Sequence, residues 1–387
     1  MSINSYEQPH QSFFEPRDHI QHLYERARRG ALDRRCRPPE EVIATLKAHG
    51  VAGLFLEPER TIFSCAASLG PRAGTAFHHT HLKEELFTTI ACSLAEGVGV
   101  RATARIVGVD KKTVMLVLAR AADHAEMVSR PLLKDLLVSE CQLDEMWSFI
   151  GKKEGHLEPI EQIAGLLGDA WIWIAFDPVH KVILAHVVGK RTEPYAVALL
   201  QEVKRVTSRM PGLFTSDQLD QYKKALLQVY GVAVTPPRKP GPGRPPHPKL
   251  VPPDDLLYAQ VAKKYKQNRL DSVDRKVVFG EPQKIQEILQ QSVTSQKINT
   301  SFVERNNGTV RHMDARCSRK TYRFSKCGEN HKRQLLLSMA YYHLCLPHST
   351  LTKRHQRPTT PFISAGLTDH VWTMRELLET RIKMLDS

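Results

Sequence analysis

Three acidic residues stand where acids are uncommon. Asp144 interrupts the apolar run LDEMWSF, Asp217 closes LFTSD, and Glu304 lies in the helical stretch SFVERNNGTVR. A carboxylate inside a strand costs free energy unless a cation or a donor meets it. Three that converge could hold Mg2+ or Mn2+, two ions being the expected number, because such ions prefer hard oxygen ligands. The chemistry they serve is phosphodiester cleavage and transfer, in which metal activates the attacking oxygen and stabilises the leaving one. Each acid also has an ordinary structural reading. Asp144 fits a water-facing strand end, Asp217 a helix cap, and Glu304 a first-turn acid favoured by the helix dipole. Only their order and their placement on two strands and a helix make a set of them.

The elements that must position these acids can be read from the pattern. VSECQLDEMWSFIG, DAWIWIAFDP and KVILAHVVGKRT read as three strands. PYAVALLQEVKRVTSRM then reads as a helix, LFTSDQ as a short strand and LDQYKKALLQVYG as a second helix stopped by glycine. That order predicts an α/β fold. Residues 236–253 contain nine prolines in eighteen positions and form no packed core. The GRP triplet there resembles the core of a minor-groove arm. YAQVAKKYKQNRLDSVDRKVVFG follows as two strands joined by a polar turn.

Upstream, LFTTIACSLAEG, RATARIVG and KKTVMLVLARAADHAEMV read as three helices, with Gly108-Val109-Asp110 as a tight turn before the third. Small residues and a glycine turn at this spacing predict a helix-turn-helix over residues 85–130. Its third helix would present Lys111, Lys112 and Thr113 to a DNA groove. A plain three-helix packing unit is the alternative. Lys and Arg total 55 against 41 Asp and Glu, a net charge of +14, and the excess clusters: residues 301–333 hold nine basic and three acidic residues. Such charge suits a polyanion. Double-stranded DNA is therefore the expected partner. The seven cysteines are single, with no CxxC pair, so no structural zinc is predicted. No run of about 18 apolar residues occurs and no signal peptide is read, which points to the cytoplasm.

LDEMWSFIGKK, WIWIAFDPVHKVILAHVVGKRT, FTSDQLDQY and FVERNNGTVRHMDARCSRKTYRFSK followed by His331 together resemble the insertion-sequence-one family of bacterial transposases. The resemblance covers roughly residues 85–345. It implies a ribonuclease-H-like mixed sheet flanked by helices, preceded by the all-α helix-turn-helix. It also implies a catalytic and metal-binding triad of Asp144, Asp217 and Glu304. Arg305, Asn307, Arg311, Arg319, Lys320 and Lys326 would grip phosphates, with Lys190 and Arg191 as further candidates. The implied activity is binding of an element's terminal inverted repeats, metal-dependent strand cleavage and strand transfer, by a homo-oligomer assembled on DNA.

Two departures from the family follow from the sequence. The cysteine pairs of its N-terminal zinc finger are absent, leaving residues 1–84 without a clear role. The 86 residues between Asp217 and Glu304 are more than compact members carry, so residues 235–300 are expected to be an insertion in a catalytic domain over 136–345. Residues 346–387 read as a polar tail. Should Glu304 lie far from the other two acids, Asp177 and Glu145 are the next candidates. A ribonuclease-H-like nuclease and a catalytically dead DNA-binding repressor are the rival functions.

Overall fold

The computed structural model describes residues 72–236, 247–267 and 269–382, and Gly74–Ile382 form one compact unit. Most of residues 1–84, and the GRP triplet of the proline-rich arm, lie outside the described residues.

Three helices open this unit: α1 (Glu84–Ala95), α2 (Val100–Val107) and α3 (Lys111–Leu132). Gly108 takes the left-handed conformation that ends α2, and Asp110 caps α3 by accepting the Lys112 backbone N–H at 2.7 Å. The buried face of α3 runs Val114, Val117, Leu118, Ala121, Ala122, Ala125 and Val128, the spacing of one helical stripe.

The sheet follows. It comprises β1 (Glu140–Ile150), β2 (Gly168–Asp177), β3 (Val182–Gly189), β4 (Leu213–Asp217), β7 (Tyr258–Lys266) and β8 (Arg269–Phe279), in the order β3-β2-β1-β4-β7-β8. β2 is antiparallel to β1 and β3, β4 is parallel to β1 and to β7, and β8 returns antiparallel to β7. Between these strands lie α4 (Pro159–Ala164), α5 (Glu193–Val206) and α6 (Asp220–Tyr230), and after them α7 (Pro282–Gln291), α8 (Ser301–Met313) and α9 (Gly328–Leu344). The result is an α/β fold, a mixed six-stranded sheet flanked by helices.

Period-two alternation in β1 sends its residues to two different cores. Leu143 faces the larger core with Trp173, α5, α6 and the three opening helices. Met146 faces a second core with Ile172, Ile174, α8 and α9. Because α3 packs on α9 and α1 also contacts it, the opening helices and the sheet share one continuous apolar interior. Gly97 marks how close the approach is: a Cβ there would come within 2.4 Å of the His312 carbonyl at the end of α8.

Two expectations need correction. Residues 235–300 are not an insertion as a whole, since β7 pairs with β4 over Phe214–Asp217 and belongs to the central sheet beside Asp217. What lies outside the main sheet is the pair of short strands β5 (Val232–Val234) and β6 (Lys249–Val251), which among the described residues pair with each other alone. The segment after residue 346 is not merely a polar tail. It forms α10 (Ser349–His355), α11 (Pro361–Ser364) and α12 (Met374–Glu379), and α12 buries Met374, Leu377 and Leu378 against α1 and α3.

Candidate metal centre and basic cleft

β1 and β4 run parallel in register as far as Leu143 and Ser216, and the next residue on each strand is an acid. Asp144 and Asp217 are thereby brought side by side by the sheet itself. Glu145 comes with them. One carboxylate oxygen from each of Asp144, Glu145 and Asp217 lies within 4.8 Å of the others. Asp144 turns toward α8, where the Asn307 side-chain amide donates to it at 2.6 Å. Glu145 accepts from Arg191 Nε at 2.9 Å, is also bonded by the Arg191 Nη2 group, and accepts from the Tyr222 hydroxyl at 3.1 Å.

Glu304, on the first turn of α8, stands beside this group rather than in it. Its carboxylate is held by the Lys263 ammonium from β7 and by the Thr300 hydroxyl. It is near enough for its charge to contribute to raising the pKa of both Asp144 and Asp217. Asp177 is elsewhere, its carboxylate bonded to the Val179 and His180 N–H groups and to the His180 ring.

The electrostatics fit a cation. Burial, then the charges of Asp217 and Glu145, lift the Asp144 carboxyl from 3.8 to about 7. Burial also raises Asp217 and Glu145, against the pull of Arg191 on each. Asp217 Oδ1 is buried without a hydrogen-bond partner among the described residues. Three converging hard oxygen donors, one of them unsatisfied, are what a divalent ion requires, so this group could hold a metal ion.

The basic residues divide into two sets. Lys111, Lys112, Arg305, Arg319, Lys320 and Lys326 are exposed, and Thr113 is partly so. The others are engaged: Lys190 pairs with Glu154 at 2.7 Å, Arg191 with Glu145, and the half-buried Arg311 guanidinium is held below its usual range by burial and Arg319. Asn307, expected to grip phosphate, is buried and its amide is spent on Asp144. It positions a carboxylate.

A cleft of about 890 Å³ lies where α2 and α3 meet the loop after α8. Arg101 and Arg105 of α2, Lys111 and Lys112 of α3, and Arg316, Arg323 and Lys326 of the loop line it, and among the described residues no carboxylate does. Tyr322 stands at its edge, 97% exposed. Arg323 Nη1 donates to the Gly97 carbonyl at 3.2 Å, tying the loop to the turn between α1 and α2. Arg101, Arg105, Lys263 and Tyr222 were not singled out from sequence. The first two were visible as the polar face of α2, whereas Lys263 and Tyr222 matter only because of long-range packing. No helix among the described residues is long and apolar enough to cross a membrane.

No protein-family model and no curated protein matches the chain.

Proposed function

We propose that the chain is a DNA transposase: a metal-dependent enzyme that binds the terminal repeats of an insertion sequence, cuts a strand and joins the freed end to a target. The observation that carries this reading is the carboxylate group where the middle of β1 meets the end of β4, with an oxygen that is buried and unpaired among the described residues. The strand order, an antiparallel β1–β3 meander with β4 and β7 added parallel beside β1, is compatible with a ribonuclease-H-like core. The resemblance in LDEMWSF, FTSDQ and FVERNNGTVRHMDARCSRK to insertion-sequence-one transposases supports the same reading.

Asp144 and Asp217 would hold Mg2+ or Mn2+, and Glu304 would be the third member of the triad. Glu145 lies within the same cluster and is charge-compensated by Arg191. The metal, when bound, supplies activation of the attacking oxygen and stabilisation of the leaving one. The chain's own residues prepare the site. Asn307 fixes the rotamer of Asp144, Arg191 and Tyr222 fix Glu145, and Lys263 offsets the charge of Glu304 until phosphate is present to take that ammonium. The helix-turn-helix of α2 and α3 presents Lys111, Lys112 and Thr113 toward DNA, and Arg305, Arg319, Lys320 and Lys326 supply exposed charge for phosphates. Arg311 adds half-buried charge close to Asp144.

The test is incubation of labelled DNA from the ends of the element that encodes the chain with Mg2+, Mn2+ or EDTA. Specific binding with metal-dependent cutting supports the proposal. Binding with no cutting under any metal points to the repressor reading, and cutting of hybrid or junction substrates without end binding to the nuclease reading.

A further inference from the structure

We infer that the sheet carries a track for single-stranded DNA, running from the carboxylate group to the basic cleft. The inference deepens the proposed function and rests on it for the identity of the polymer.

The track begins at Glu145. Every second residue of β1 shares its face, so Glu145 is followed along one line by Trp147 and Phe149. Trp171 of β2 is registered directly opposite Trp147, placing both indoles on that face. The Trp147 and Phe149 rings stack, with centroids 5.5 Å apart and planes at 29°. Phe149 in turn meets Phe324 at 4.7 Å. Residue 324 belongs to the loop that lines the cleft, and that loop is fastened to the end of β1 by the Ile150–Ser325 bridge and by Gly151 N–H donating to the Ser325 carbonyl at 2.7 Å. The ladder is therefore continuous from site to cleft.

The rings are half-buried rather than enclosed. Packing alone does not account for what covers them, since three of the four carry a cation. Arg191 lies over Trp171 at 4.6 Å, Lys153 over Trp147 at 5.7 Å, and Lys326 over Phe324 at 4.6 Å. Among the described residues Lys153 and Lys326 have no carboxylate partner, so both charges are available to a polyanion. Aromatic rings alternating with cations form the usual platform for unpaired nucleic acid: bases stack on the rings while phosphates meet the charges. A duplex cannot use such rings, because its bases already stack on each other.

Length supports the same occupant. Four residue steps along β1 lead from Glu145 to Phe149, about 13 Å at strand rise. The step to Phe324 brings the track to the order of 18 Å, about five nucleotides stacked at 3.4 Å. A DNA end held by α2 and α3 would thus reach the carboxylates as a frayed single strand, its last few bases laid on this ladder.

The probes are a fluorescent thymidine 15-mer and a mixed-sequence 15-base-pair duplex, titrated against the full chain by fluorescence anisotropy in EDTA. The variants are Trp147→Leu, Trp171→Leu and Phe149→Leu, which keep apolar bulk and lie outside the cleft lining, with circular dichroism to confirm folding. Each variant is expected to weaken thymidine 15-mer binding about five- to 150-fold, as loss of one stacking ring does, while duplex binding changes less than two-fold. Retained duplex binding with unchanged single-strand binding, or equal losses for both probes in folded variants, overturns the track but leaves the proposed function standing. Failure of the parent chain to bind either probe overturns both. Should all three variants fail to fold, quenching of the parent's tryptophan fluorescence decides instead: quenching by the thymidine 15-mer and not by the duplex supports the track, and its absence overturns it.

Discussion

Replacing Asp144 with Asn should stabilise the metal-free protein, and the size of the gain can be worked from the site. Burial and neighbouring charge lift the Asp144 carboxyl from 3.8 to about 7. An acid whose pKa rises on folding destabilises the native state wherever it is ionised. The penalty is absent below about pH 4, grows as pH climbs toward 7 and is complete above it. At about 1.4 kcal/mol per pH unit the upper bound is about 4 kcal/mol. Because Asp217 and Glu145 share the repulsion, one substitution relieves part of it, and about 2 kcal/mol is the expected gain. For a unit of this size that is about 3 °C in Tm. Asn keeps the acceptor that Asn307 needs, so the hydrogen bond survives. Thermal melts of both proteins in EDTA at pH 8.5 and pH 4.5 provide the assay. The variant should melt higher at pH 8.5, the gap should shrink at pH 4.5, and Mg2+ should raise the Tm of the parent alone. Equal melting points at pH 8.5, or a gap that does not close with acid, would refute the claim that charge repulsion governs this group.

Glu304→Gln should reduce metal-dependent cleavage by at least about a hundred-fold, whereas Glu145→Gln should cost less; the reverse order in single-turnover assays would make Glu145 the third ligand. Replacing Lys111 and Lys112 together by Ala should lower the slope of log K against log salt by about two, one per lost phosphate contact; an unchanged slope would mean that α3 does not face DNA. Leu377→Ala should cost about 2–5 kcal/mol, because Leu377 is fully buried against α1 and α3; denaturant melts showing no loss would mean the segment after residue 346 is dispensable.

The main sheet was largely legible because its strands alternate cleanly or run apolar between turn signals. The β1–β3 readings and the two helices after them fall within a few residues of the observed elements. Asp144 and Asp217 were legible for the same reason: an acid within an apolar strand is conspicuous. β7 and β8 were legible as two strands, but their place in the main sheet was not, because β4, the partner of β7, lies on the other side of the proline-rich segment in sequence and only long-range parallel pairing joins them. Met374, Leu377 and Leu378 follow helical spacing, yet the helix is six residues long and lies in a polar stretch. The contacts that shape the carboxylate group, Arg191 and Tyr222 on Glu145, Lys263 on Glu304 and Asn307 on Asp144, join residues 41 to 163 positions apart. No local pattern encodes them.

The most direct test of the account is cleavage by Asp217→Asn. Asp217 offers a buried oxygen that no group among the described residues satisfies, and Asn keeps its shape while removing its charge. With labelled end DNA and Mg2+, the variant should bind as the parent does and release no cut strand. Cutting by Asp217→Asn at the parent's rate would contradict the proposal that these carboxylates hold the catalytic metal.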